Sequence, residues 1–372
     1  MQATRSYSWV TMLTLLAMLL ATPAYAASLI LYVDVATGRD RILCGFSPNR
    51  PCKTISYVIP RASVDTTIQI GPGTYNETIS ITQNLGWITF QGAAQDQTVI
   101  VGNGTDPTIT VWGPNTFRFR QLTITGGRHG IYMNSAHIYG ESVTVSGNVV
   151  NGIRGEYGAS VELSGVAVRS NGRNGVYLTN GSAGSVLNSE FSQNGGDGFN
   201  LQRGSSAEVE GSMISNNLGS GIGIYVGSSA SVGTSTIEYN HLSGVGASNG
   251  SAFNSWGGNL IRYNADSSGW RAGVNILNGS SGVMIDSPGD QILMNNGPGI
   301  FVGNTSSLLF NGSTVSSNAG NGVEMYLNST TQFDGGSVTN NSGYGVFCGI
   351  VSSKYGQPGT LSGNALGPTN CN

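Results

Sequence analysis

From residue 148 an asparagine stands three places after an apolar residue again and again: Val145/Asn148, Val168/Asn171, Phe191/Asn194, Ile214/Asn217, Ile237/Asn240, Ile261/Asn264, Ile292/Asn295, Val315/Asn318 and Val338/Asn341. The first five asparagines are 23 residues apart, the sixth follows after 24, and the last three resume the 23-residue step after a gap of 31. A period in the low twenties made of short apolar pieces describes a unit that cannot bury its own face. Such units must stack on one another as the coils of a solenoid.

Registering the coils exposes the core. One column runs Ile131, Ile153, Val176, Phe199, Ile222, Val245, Val274, Ile300, Val323 and Val346, and two residues on another runs Met133, Gly155, Leu178, Leu201, Ile224, Ala247, Ile276, Val302, Met325 and Cys348, nearly all apolar. Side chains two apart on a strand share a face, so both columns point inward. Leu163, Val186, Val209 and Val232 supply a second wall, and the apolar residue before each Asn a third. Three short strands per coil close a triangular tube. Parallel strands need crossovers, and crossovers are right-handed in nearly all cases. The expectation is an all-β, single-domain right-handed parallel β-helix of about 23 residues per coil with a short N-terminal cap. The recurring Asn is expected at a turn that needs left-handed backbone and a side chain that donates and accepts along the stack; Gly127 takes its place one coil earlier.

Met1 to Ala26 holds Arg5, an apolar run from Trp9 to Ala21 and a small-x-small site at Ala24-Tyr25-Ala26, the pattern of a secretory signal too short to span a membrane. Residues 27–66 are expected to form the cap, 67–350 the β-helix and 351–372 a C-terminal cap tail. No later stretch reads as a membrane span, so the protein is expected to be secreted or periplasmic. Four cysteines in an exported chain suggest two disulfides, and local pairing gives Cys44 with Cys52 and Cys348 with Cys371. Charged residues are 9% of the chain and the formal charge is −3, which offers little to a phosphate backbone and argues against nucleic acid as a partner. Phosphate-binding loops, metal-type His/Cys spacing and serine-nucleophile elbows are not found, so no cofactor or metal is expected.

Near the N-terminus Leu31-Tyr32-Val33-Asp34 reads as a strand and Thr54 to Ala62 as a short helix limited by Pro60. Ile68-Gln69-Ile70 and Gly71-Pro72-Gly73-Thr74-Tyr75-Asn76-Glu77 follow. Here the chain resembles the front end of the pectate-lyase-like β-helix superfamily, in which a strand, a helix cap and a Gly-x-Tyr-x-Glu turn open the solenoid. With the repeats, the resemblance covers nearly all of the chain after the signal. It implies the fold, and it implies that the outward face of the first strand lines a saccharide cleft. The acidic clusters of calcium-dependent pectate lyases and of polygalacturonases have no counterpart here, so no activity is carried over.

On that face the register places Tyr132, Arg154, Glu156, Tyr177, Asn200, Gln202 and Tyr225, with His129 and Arg173 on the preceding turns. Rings and planar polar groups suit sugars. For a uronan, Arg154 would stabilise the carboxylate-derived enolate while Tyr177 or His129 moved the proton, with Glu156 beside them; these four are the catalytic candidates. The bland readings are an exposed Arg154–Glu156 ion pair and a solvent-facing His129. Between Val245 and Val274 the step lengthens to 29 residues, and Trp270 and Arg271 in this insertion are placed as a roof over the cleft. The expected function is binding of an extracellular polysaccharide, with lyase or epimerase processing; the competing reading is a non-catalytic surface or matrix scaffold. A third possibility is assembly through Phe301, Tyr326 and Phe347. Oligomeric state is left open.

Overall fold

A computed structural model of the chain describes residues 28–265, 271–285 and 288–371. The expected signal, 1–26, lies outside these residues, as does Trp270.

Every strand pairing is parallel, and the coils rise as a solenoid of thirteen turns counted on the first-strand sheet, from Ile79–Ile81 to Gly367–Thr369. Rung follows rung in the register the repeat predicted: Ile153 lies against Val176, Val176 against Phe199 and Phe199 against Ile222. These four, with Leu178, Leu201 and Ile224, are fully or almost fully buried, because alternation sends every second side chain to the interior.

The second and third strands of each coil belong to one sheet of 25 strands. The early coils show why. There, Thr116–Thr125 and His137–Ser146 are single ten-residue strands that serve both positions, bent at Gln121 and Ser142, each with a φ of 52°. Later coils separate them, as in Ser160–Ser164 and Ala167–Arg169.

The Asn column is a buried hydrogen-bond ladder. Asn194 donates its backbone N–H (3.0 Å) and Nδ2 (3.0 Å) to Oδ1 of Asn217, and Asn217 in turn donates Nδ2 to the carbonyl of Phe191 at 3.0 Å. The pattern runs from Asn148 to a further rung, Asn364, and Gly127 opens it by donating its N–H to Asn148. Donation and acceptance along the stack therefore hold. The left-handed backbone does not fall on the ladder Asn: it falls one residue earlier, at Ser170, Gln193, Asn216, Tyr239, Tyr263, Met294, Ser317 and Asn340. The Asn must turn its amide inward to cap the stack, so its predecessor makes the bend.

Two corners carry ladders that the sequence reading did not identify. Ser182, Ser205 and Ser228 follow one another at the turn after the first strand, and Ser189, Ser212, Ser235, Asn259, Asp290 and Ser313 at the turn after the second.

At the front, Ile30–Val33 pairs with Thr67–Ile70. The expected helix is shorter than its sequence suggested: Ile55–Val58 is α-helical and Ile59–Arg61 continues as a 3₁₀ turn, as Pro60 requires. Glu77 of the Gly-x-Tyr-x-Glu turn caps this helix, its carboxylate accepting the N–H groups of Ile55 and Ser56, each at 2.8 Å. Tyr75 is buried and donates to the carbonyl of Gly71 at 2.9 Å. That motif is structural. At the far end Ser353–Tyr355, Thr360–Ser362 and Gly367–Thr369 add three strands to the stack. Disulfides join Cys44 to Cys52 and Cys348 to Cys371, as expected.

Candidate functional site

The first-strand sheet turns two rows of side chains outward. One row is Thr110, Tyr132, Arg154, Tyr177, Asn200 and Gly223, neighbours on successive rungs. The other begins Trp112, Asn134, Glu156 and Thr179. Rungs are about 4.8 Å apart, so side chains on neighbouring rungs touch.

Glu156 is the hub of the early part. It is only 9% exposed, and its two oxygens are both used: Oε1 accepts from Nε of Arg154 at 2.8 Å and Oε2 from the Tyr132 hydroxyl at 3.0 Å. The Arg154 guanidinium lies 5.4 Å from the centre of the Tyr177 ring, within cation–π range. Trp112 meets Tyr132 edge-on at 5.9 Å, and His129 stacks on the other side of Tyr132 at 6.3 Å. Burial raises the Tyr132 hydroxyl above its usual range, with Glu156 adding to the shift and Asn134 and Arg154 opposing it.

His129 is not the solvent-facing residue of the bland reading: it is 4% exposed. Its Nδ1 accepts the N–H of Asn151 at 3.3 Å, so the neutral ring carries its proton on Nε2. Burial, reinforced by the charges of Arg154 and Arg128, lowers its pKa to about 4. At neutral pH His129 is therefore neutral, with an N–H donor on Nε2.

Two rungs further on lies a second polar group. Asp197 is 6% exposed; its Oδ1 accepts the N–H of Ser220 at 2.7 Å and its Oδ2 the amide of Asn200 at 2.5 Å. The same turn position holds Asn151 and Asn174 in the coils before, and they cap the next rung in the same way. Burial raises the Asp197 carboxyl and, with Asp197 nearby, also raises Tyr225. Gly223 makes this packing possible. A Cβ there would lie 2.4 Å from Oδ2 of Asp197 and 2.5 Å from the Tyr225 ring, so only glycine lets the tyrosine fold back on its own strand. Between the two groups, Thr179 Oγ1 and Asn200 Oδ1 are buried with no hydrogen-bond partner among the described residues.

The structure thus gathers His129, Tyr132, Arg154, Glu156 and Tyr177, and sets Asn200 and Tyr225 with Asp197 beside them. Gln202 lies half-buried one rung before Tyr225 in the same row. Arg173 is exposed on its turn, away from the hub. Arg271 precedes the strand Val274–Leu277, four rungs beyond Tyr177, or about 19 Å, so it does not join the early cluster. Phe301 faces outward by register but is 2% exposed, which removes it from the proposed assembly patch. Two members were missed. Trp112 sits in a coil without a ladder Asn and so escapes the register, and Asp197 stands on the turn before its strand, where nothing in the sequence marks it as a buried acid. Among the described residues, the single grouping of three metal-type ligands is Asp40, Cys44 and Cys52, and both of its sulfurs are committed to a disulfide. A cavity of about 970 Å³ lies by the N-terminal cap, lined by residues between Thr37 and Tyr57.

Residues 107–265 and 249–355 match the family described as right handed beta helix region, and the chain belongs to that family. No curated protein matches it. Among solved structures it is similar to the A-module of mannuronan C-5 epimerase AlgE6 from Azotobacter vinelandii, at 19% identity over 80% of this chain and 90% of that one, with a TM-score of 0.57. It is also similar to the catalytic unit of a thermostable GH87 α-1,3-glucanase from Streptomyces thermodiastaticus strain HF3-3, at 14% identity over 84% of this chain and 66% of that one, with a TM-score of 0.58. These likenesses establish the fold.

Proposed function

We propose that the first-strand face from Trp112 to Tyr225 binds an extracellular polysaccharide, and that it acts on an acidic one by lyase or epimerase chemistry. The observation that carries this reading is the Arg154 guanidinium, held by Glu156 and lying over Tyr177 on an outward face edged by Trp112 and Tyr132. Rings stack on the apolar faces of sugars, and the planar groups among them bond hydroxyls. The similar folds of a mannuronan epimerase and a glucanase support a polysaccharide as ligand.

In this reading Arg154 faces the substrate carboxylate and stabilises the charge that builds on it when the adjacent carbon loses its proton. Tyr177, entering the step as phenolate, takes the C5 proton; in elimination the electron pair left at C5 expels the C4 oxygen, which receives that proton from Tyr177, and in epimerisation water reprotonates C5 from the opposite face. Hydrolysis by a carboxyl pair fits less well. Both oxygens of Glu156 are held by Arg154 and Tyr132, and both of Asp197 by Asn200 and Ser220, so neither is placed as a free acid or base for a glycosidic bond. Two disulfides support an oxidising compartment, and with the apolar N-terminal run they support export to the periplasm or medium.

The test is incubation of the purified protein with uronic-acid polymers, followed by the absorbance of unsaturated ends and by the ratio of C5 epimers. Arg154→Ala and Tyr177→Phe are expected to abolish either activity; unchanged rates in both would remove this site. One observation favours a non-catalytic scaffold instead: Glu156 already engages the Arg154 guanidinium. That reading predicts binding or turnover of no polymer.

A further inference from the structure

We propose that the loop of residues 37–51, at the N-terminal end of the solenoid, docks on an anionic lipid surface. Ile42 is 83% exposed, Leu43 70% and Phe46 53%, three large apolar side chains within five residues of one loop. Arg39, Arg41, Arg50 and Lys53 surround them, all exposed, a quarter of the 16 Lys and Arg in a chain whose net charge is −3. Asp40, the one acid between residues 37 and 53, is turned back on the chain, where its carboxylate accepts the N–H groups of Lys53 and Thr54 at 2.8 and 3.2 Å and the Thr54 hydroxyl at 2.9 Å.

The loop is fixed in this shape. Cys44 is bonded to Cys52, Gly45 exchanges backbone bonds with Arg50 and Tyr32 at 2.8 Å each, and Arg61 reaches the carbonyls of Tyr57 and Arg41 at 3.1 and 3.3 Å. The apolar stretch is therefore presented without the ordering cost that a mobile loop meets on binding. An apolar stretch ringed by cations is the chemistry of an interfacial anchor: the aliphatic chains enter the acyl boundary while the guanidinium groups meet headgroup phosphates. The adjoining cavity of about 970 Å³, lined by Arg39, Arg41, Arg50, Ile42, Leu43 and Tyr57 among others, gives a headgroup somewhere to sit. Other occupants fit worse. Two adjacent aliphatic side chains offer nothing to a sugar or a base, and three apolar residues fall well short of the roughly 20 to 30 residues a side of a standard protein interface. Because the coils stack away from this end, the attached rod stands on the membrane, with its first-strand face free along its length.

Sedimentation of the chain, as recovered from an exporting host, with vesicles of phosphatidylcholine alone or mixed with phosphatidylglycerol tests the proposal. The wild type is expected to pellet with the anionic vesicles only and to be released by salt. Replacing Arg39, Arg41 and Arg50 by Gln should weaken binding about fivefold per lost cation, and Ile42→Ser with Leu43→Ser should weaken it tenfold or more. All five positions are exposed, so the variants should keep the wild-type circular dichroism spectrum. Equal pelleting with neutral vesicles, no pelleting, variants that pellet like wild type, or capture by a soluble uronan that anionic vesicles do not displace would each overturn the proposal.

Discussion

Two columns climb this solenoid, and they are built on opposite rules. In the third corner every rung from Asn148 to Asn364 carries the same residue, buried, with its amide donating and accepting along the stack. On the outward face of the first strand successive rungs carry Tyr132, Arg154, Tyr177, Asn200 and Gly223, four residue types in five positions. A position that holds coils together meets the same neighbours each turn and keeps one answer. A position that faces outward meets no repeated neighbour, so its variation is free to describe something outside the chain.

The sharpest way to break this contrast is in the ladder. Asn217→Ala leaves the buried N–H of Asn194 and the carbonyl of Phe191 without these partners and removes one of the two hydrogen bonds of the Asn194 amide. At about 1 to 3 kcal/mol for each unsatisfied group, the expected loss is about 3 to 5 kcal/mol, read as a drop in urea midpoint. A loss under about 1 kcal/mol would show that the ladder is not what holds neighbouring coils together.

The second effect tests the buried turn before the first strand. His129 binds its proton with a pKa of about 4 in the fold and about 6.5 when unfolded, so the unfolded chain takes up the proton first. Stability is therefore full above pH 6.5 and falls as the pH drops to 4, by on the order of 3 kcal/mol. His129→Gln should flatten that slope in urea midpoints measured across the range; a slope that survives the substitution would place its origin elsewhere.

Asp197 gives a smaller effect of opposite sign. Its raised carboxyl is most compatible with the fold at low pH, and stability is lost as the pH rises past the unfolded value of about 3.9 and through the raised one. Asn151 and Asn174 do the same capping work in neighbouring coils without a charge. Asp197→Asn is accordingly expected to raise the urea midpoint at pH 7 and to leave it unchanged at pH 3. A destabilised variant at pH 7 would mean that the carboxylate is a structural necessity and not an acid kept for function.

The same contrast explains what the sequence disclosed. The Asn column and the apolar columns were legible because identical neighbours recur at a fixed step, and from them the coil register of Val176, Phe199 and Ile222 follows residue by residue. The serine ladders were harder to see, since serine is abundant and Asn259 and Asp290 interrupt one of them. The pairing of Arg154 with Tyr177 across rungs was also legible, being a matter of register. The burial of His129, the junction of Glu156 with Tyr132 and the folding of Tyr225 over Gly223 were not, because they depend on side-chain directions that no periodicity records. Trp112 was lost for a different reason: its coil lacks the marker residue by which the others were aligned.

Tyr177→Phe tests the outward face most directly. The hydroxyl of Tyr177 makes no hydrogen bond to the described residues, while its ring keeps Arg154 in place, so the variant should match wild-type stability within about 0.5 kcal/mol. If the face is the working surface, lyase or epimerase turnover of a uronan by the same variant falls by about 100-fold or more. Full turnover in a stably folded Tyr177→Phe protein would contradict the account.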